Sequence, residues 1–137
     1  MMTKLTVSNF SSINSAHLEL GDLTVIVGPQ ASGKSLLSKL NYFFVQLLND
    51  QYSLVGEDKD IEHFKEFIRE KFLEWFPITA WGENKFTIEY EAGSVQMRFS
   101  RNEYKRKLSN NFCITFSSFF EDHYASLLSE FREAIIK

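Results

Sequence analysis

The sequence predicts an α/β fold, and three consecutive features predict it. Leu23-Thr24-Val25-Ile26-Val27 is a short, β-branched apolar run of the kind that forms a strand buried on both faces. Gly28-Pro29-Gln30-Ala31-Ser32-Gly33-Lys34-Ser35 follows at once, with the spacing G-x-x-x-x-G-K-S/T. Leu36, Leu37, Leu40, Phe43, Phe44, Leu47 and Leu48 then recur at helical spacing. Strand, glycine-rich loop and helix therefore stand in the order that a phosphate-binding loop requires.

Each position of the octapeptide has a physical reason. Gly28, without a Cβ, lets the chain leave a buried strand in a tight turn, and Gly33 lets the backbone approach a phosphate closely. The amides of Ala31 to Leu36 open the helix, so unpaired N–H groups and the positive end of the helix dipole face the loop. Lys34 supplies a mobile positive charge for terminal phosphates. The Ser35 hydroxyl is placed to coordinate a magnesium ion bridging two of them. The expected ligands are ATP and Mg2+, with Gly28, Pro29, Gln30, Ala31, Ser32, Gly33, Lys34, Ser35 and Leu36 binding the nucleotide and Lys34 serving catalysis. The plain alternative is an ordinary Gly-Pro turn before a helix. Chance alone produces this spacing in roughly one chain of this length in a few hundred, and the flanking strand and helix patterns make chance rarer still.

Composition sets the remaining bounds. A chain of 137 residues, 44% hydrophobic and 15% aromatic, can bury one core and is one domain or part of one. No apolar stretch reaches membrane-spanning length, and Met1-Met2-Thr3-Lys4 lacks the apolar core of a signal peptide, so a cytoplasmic location is expected. The lone Cys113 lies in the apolar run Phe112 to Phe116, where a buried, inert thiol is expected. His17, His63 and His123 lack ligand spacing. A net charge of -3 argues against a nucleic-acid binder that uses its whole surface.

Two alternating runs, Lys4 to Ser8 and Ala16 to Leu20, precede the loop strand and are joined by a polar segment. Small nucleotide kinases and most GTPases carry the phosphate loop after the first strand, so they fit poorly. With Leu5-Thr6-Val7-Ser8-Asn9-Phe10-Ser11-Ser12-Ile13, then His17-Leu18-Glu19-Leu20, then the run Leu23 to Ser35, the chain resembles the ABC-type ATPases of the SMC and RecF kind. These include the OLD-like ATPases often found in anti-phage systems. The resemblance covers about the first 50 residues. The family often has Asn where this chain has Gln30, and Arg where it has Ser11. It implies a P-loop NTPase fold, specifically the N-terminal lobe of an ABC-type ATPase with an antiparallel β portion. It further implies ATP hydrolysis completed by a C-terminal lobe and by homodimerisation, in DNA repair or anti-phage defence.

Past residue 50 the organisation is read from periodicity. Residues 1–50 hold the first strands, the loop and its helix. The polar stretch Asp50 to Asp60 is expected to break that helix, and residues 51–84 form a helical segment. Within it, Ile61, Phe64, Phe67, Ile68, Phe72 and Trp75 mark one core-facing stripe up to Pro77. Residues 85–116 form the β portion: Lys85 to Glu91 and Val95 to Ser100 alternate about Ala92-Gly93-Ser94, which predicts a hairpin. In 117–137, Phe120, Tyr124, Leu127, Leu128, Phe131 and Ile135 keep helical spacing without a terminal Gly or Pro, as a helix cut before its end would.

Hydrolysis asks for more than the loop. An apolar strand ending in an acid pair should hold magnesium and activate water, and a Ser-Gly-Gly signature should close the site. Phe119-Phe120-Glu121-Asp122 comes nearest to the first, with its acids in the reverse order, and Gln46, Gln51 and Gln96 are candidates for sensing the terminal phosphate. Arg98, Arg101, Lys105, Arg106 and Lys107, with Tyr104 among them, form a basic run that could hold DNA, although such a run is more often a solvated turn. Two other readings remain open from the sequence. One is a small complete P-loop enzyme of the kinase kind, and the other is a non-catalytic nucleotide-sensing module.

Overall fold

The computed structural model describes residues 3–21, 34–82, 85–102 and 112–136. The run Leu23 to Val27 and the loop residues Gly28 to Gly33 lie outside them. Strands β1 (Thr3–Phe10), β2 (Ile13–Leu20), β3 (Phe86–Ala92), β4 (Val95–Arg101) and β5 (Cys113–Phe116) form one sheet in the order β2-β1-β3-β4-β5. Every pairing in it is antiparallel. The helices are α1 (Lys34–Gly56), α2 (Ile61–Trp75) and α3 (Ser118–Ile136), with a short 3-10 turn at Ile78–Ala80.

The register sorts the side chains into two faces, because successive residues of a strand point to opposite sides. Leu18, Leu5, Tyr90, Met97 and Phe116 stand opposite one another across the strands, as do Ala16, Val7, Ile88, Phe99 and Ile114. All three helices pack on this apolar face. Phe44 of α1 stacks on Tyr90 at 4.8 Å, Phe72 of α2 meets Phe99 at 5.5 Å, and Phe120 of α3 meets Phe116 at 4.9 Å. The opposite face carries the row His17, Thr6, Glu89, Arg98 and Thr115.

The predicted hairpin is present as β3 and β4, turning at Gly93, whose φ of 61° is free for a residue without a Cβ. The first two strands are longer than their alternating cores suggest. Phe10 is fully buried and Ile13 is 4% exposed, so both are drawn into the sheet and only Ser11-Ser12 is left as the turn. Asn9 and Ser11, on either side of Phe10, adopt φ of 57° and 55°. Asn enters this left-handed region readily and serine less so.

Helix α1 corrects one expectation. It does not break at Asp50 but continues to Gly56, because Gln51, Leu54 and Val55 keep a buried face beyond the polar residues. The break falls at residues 57–60. There Asp58 has φ 59°, and Asp60 caps α2 by accepting a hydrogen bond from the His63 N–H at 3.0 Å. Helix α3 pins this connection: the Tyr124 hydroxyl donates to the Lys59 carbonyl at 2.7 Å and Arg132 donates to Asp58 at 2.6 Å. Cys113 is also corrected. It faces away from the helices at the start of the edge strand β5 and is exposed, while its neighbour Ile114 is buried.

Candidate functional site

The helix expected at the octapeptide is α1, described from Lys34 onward. Ser35 in its first turn is exposed, Leu36 is half-buried against the core, and Leu37 and Leu40 are buried beneath it. The first turn of α1 holds no acidic side chain, whereas that of α2 holds Glu62 behind the Asp60 cap and that of α3 holds Glu121. Acids placed there interact favourably with the positive end of a helix dipole. Gly28, Pro29, Gln30, Ala31, Ser32 and Gly33 lie outside the described residues.

A compact block stands at the end of α2. The Lys39 ammonium, in the second turn of α1, donates to the Trp75 carbonyl at 2.5 Å and lies 4.9 Å from the Phe76 ring centre. The Trp81 indole N–H donates to the Phe76 carbonyl at 2.6 Å, and the Trp81 carbonyl accepts the Ser11 N–H at 3.0 Å. Phe10 packs on Phe76 at 6.0 Å and on Phe86 at 5.1 Å. The Asn9-to-Ser12 turn and the early turns of α1 are thus both anchored to the Phe76–Trp81 segment.

The basic run is divided by the fold. Arg101 is 3% exposed, with its guanidinium over the Trp81 and Phe86 rings at 5.2 and 5.3 Å and donating to the Gly82 carbonyl at 2.9 Å. Burial pushes its pKa down from the usual arginine value. It is a core cation rather than part of a surface for nucleic acid. Arg98 lies on the outer sheet face, 3.3 Å from Glu89. Lys105, Arg106 and Lys107 lie outside the described residues.

The other polar candidates are not brought together. The Gln46 amide donates to the Tyr42 hydroxyl on α1; Gln51 is buried and donates to the Leu48 carbonyl; Gln96 is on β4 and donates to Glu91. Phe119-Phe120-Glu121-Asp122 forms the first turns of α3 instead of a strand end, so its acids do not make a strand-borne magnesium site. Among the described residues no group of three or more His, Cys, Asp or Glu could hold a metal ion. None of their helices is long and apolar enough to cross a membrane.

On the outer sheet face a depression of about 430 Å³ is lined by Lys4, Thr6, His17, Glu89, Gln96 and Arg98. Its lysine and arginine are already matched across strands: Lys4 is 3.9 Å from Glu91 and Arg98 is 3.3 Å from Glu89. Such exposed cross-strand pairs add little stability and leave no surplus charge for an anion. Only the pairing register reveals this grouping, since its members come from four different strands. No family model matches the chain, and no curated protein or solved structure matches it.

Proposed function

We propose that this chain is the ATP- and magnesium-binding N-terminal lobe of an SMC/RecF/OLD-like, ABC-type ATPase acting in DNA repair or anti-phage defence. The octapeptide Gly28 to Ser35, whose last two residues stand in helix α1 (Lys34–Gly56), carries the reading. The acid-free first turn of α1 and its exposed Ser35 support it, because both suit a polyanion with its metal at that helix end. In this role the backbone amides of the loop cradle the phosphates, Lys34 neutralises the terminal ones, and the Ser35 hydroxyl joins the magnesium coordination. ATP–Mg brings the phosphoanhydride bond and the cation that offsets its charge. Water activation falls to a C-terminal lobe and a second copy of the ATPase, since no acid pair among the described residues ends a strand.

Thermal unfolding with and without Mg-ATP tests the reading. A ligand bound by the folded state alone at a hundred times its Kd stabilises it by about 2.7 kcal/mol, which raises the midpoint of a domain this size by roughly 10 °C. Lys34→Ala should lose most of that rise while unfolding at an unchanged midpoint without nucleotide. Equal shifts in the two proteins, or none in either at millimolar ATP, would remove the phosphate-loop reading.

A further inference from the structure

Among the described residues, apolar side chains seat α1: Leu37, Leu40, Phe43, Phe44 and Leu47 are buried in the common core. Hydrophobic contact is non-directional, so it opposes separation of the helix more than small slides along its axis. Among the described residues, a directional tie near the start of α1 is the Lys39 ammonium, itself exposed, which reaches the last carbonyl of α2 and the Phe76 ring. It meets the negative end of the α2 dipole there, an arrangement that favours a cation. Phe76 is held in turn by its N–H to the Phe72 carbonyl at 2.8 Å and by Trp81, and Trp81 holds Ser11.

We propose that Lys39 is a positioning residue for the phosphate-binding end of α1, an inference that rests on the nucleotide reading above. By clamping the second turn of α1 to the Phe76–Trp81 block, it sets where the first turn, with Lys34 and Ser35, stands relative to the Asn9-to-Ser12 turn. Phosphate cradles depend on placement of this order, because a displacement of about 1 Å of binding groups can weaken their action many-fold. Lys39 makes no contact with nucleotide in this scheme. It acts through the backbone of its own helix.

The test measures Mg-ATP affinity by calorimetry on the 137-residue chain. It compares wild type, Lys34→Ala, Lys39→Met and Lys39→Arg at low and high salt. Lys39→Met, at an exposed position, should keep its nucleotide-free melting midpoint within roughly 3 °C of wild type. Its affinity should fall roughly five- to tenfold. Part of that loss should persist at about 1 M salt, because the 2.5 Å contact with the Trp75 carbonyl is shorter than the screening length of about 3 Å, whereas simple attraction between Lys39 and phosphate would be gone. Lys39→Arg, which keeps both the donor and the cation over Phe76, should restore affinity to within about twofold. Wild-type affinity in Lys39→Met, a loss that vanishes at high salt, or no rescue by arginine would overturn the positioning role. If Lys34→Ala loses binding while Lys39→Met keeps it, the nucleotide reading stands and only this inference fails. No binding by wild type sinks both.

Discussion

Replacing Phe72 with alanine should remove a large share of the stability of this domain. Phe72 is fully buried, and six rings surround it: Phe76 at 5.0 Å, Phe112 at 5.1 Å, Trp81 at 5.2 Å, Phe99 at 5.5 Å, Phe43 at 5.6 Å and Phe10 at 5.7 Å. They come from α1, β1, β4 and the segments flanking α2 and β5, so the cavity would open where those elements meet. Truncating a buried Phe to Ala costs about 3–5 kcal/mol, and neighbours held by their own backbones cannot all move in to fill the space. Lost ring–ring contacts, each worth about 0.5–1.5 kcal/mol and not additive, push the value to the upper half of that range, about 4–5 kcal/mol. Total stability of such a domain is about 5–15 kcal/mol, so the variant should be marginal at 37 °C. Phe72→Leu, which keeps much of the volume, should lose about 1.5 kcal/mol. Urea unfolding followed by far-UV circular dichroism and by tryptophan emission, from Trp75 and Trp81 together, measures both changes, with the slope of the transition checked for constancy. A loss under about 1.5 kcal/mol for Phe72→Ala at unchanged slope would mean that these rings do not form a single packed unit.

Two further outcomes follow from individual side chains. Burial, with Asp60 nearby, pushes the Tyr124 phenol up to about 12, so the folded state keeps that proton after the unfolded chain has lost it near the ordinary tyrosine value of 10. The stabilisation from Tyr124 is therefore complete below about pH 10 and lost as pH rises towards 12; unfolding of wild type and Tyr124→Phe across that window should show the tyrosine advantage shrinking, and a constant difference would refute it. Cys113 is exposed, so a thiol reagent should label the native protein about as fast as the unfolded one; labelling only after denaturation would return it to the core.

Much of the fold was legible because periodicity reports burial directly. The stripe Phe64, Ile68 and Phe72 is the buried face of α2, and the alternation around Gly93 is the β3–β4 hairpin. Local pattern misled where a tertiary partner overrode it. Asp50 is polar, yet α1 passes through it because Gln51, Leu54 and Val55 have a core to face, and burial pushes the Asp50 carboxyl above its usual range despite the opposing charge of Lys71. Arg101 is one more basic residue in a run when read along the chain. In the fold it is a buried cation packed against the Trp81 and Phe86 rings.

The sequence by itself marked most of the described helical and strand segments and carries the spacing of the octapeptide, because spacing and residue type are local properties. Tertiary structure alone decided which segments meet: the all-antiparallel order of the described strands, the exposure of Cys113, and the Lys39–Trp75 and Trp81–Ser11 links across tens of residues. Such contacts depend on strand register and helix placement, which follow from burying one apolar face of the whole sheet under three helices at once. No single segment carries that information.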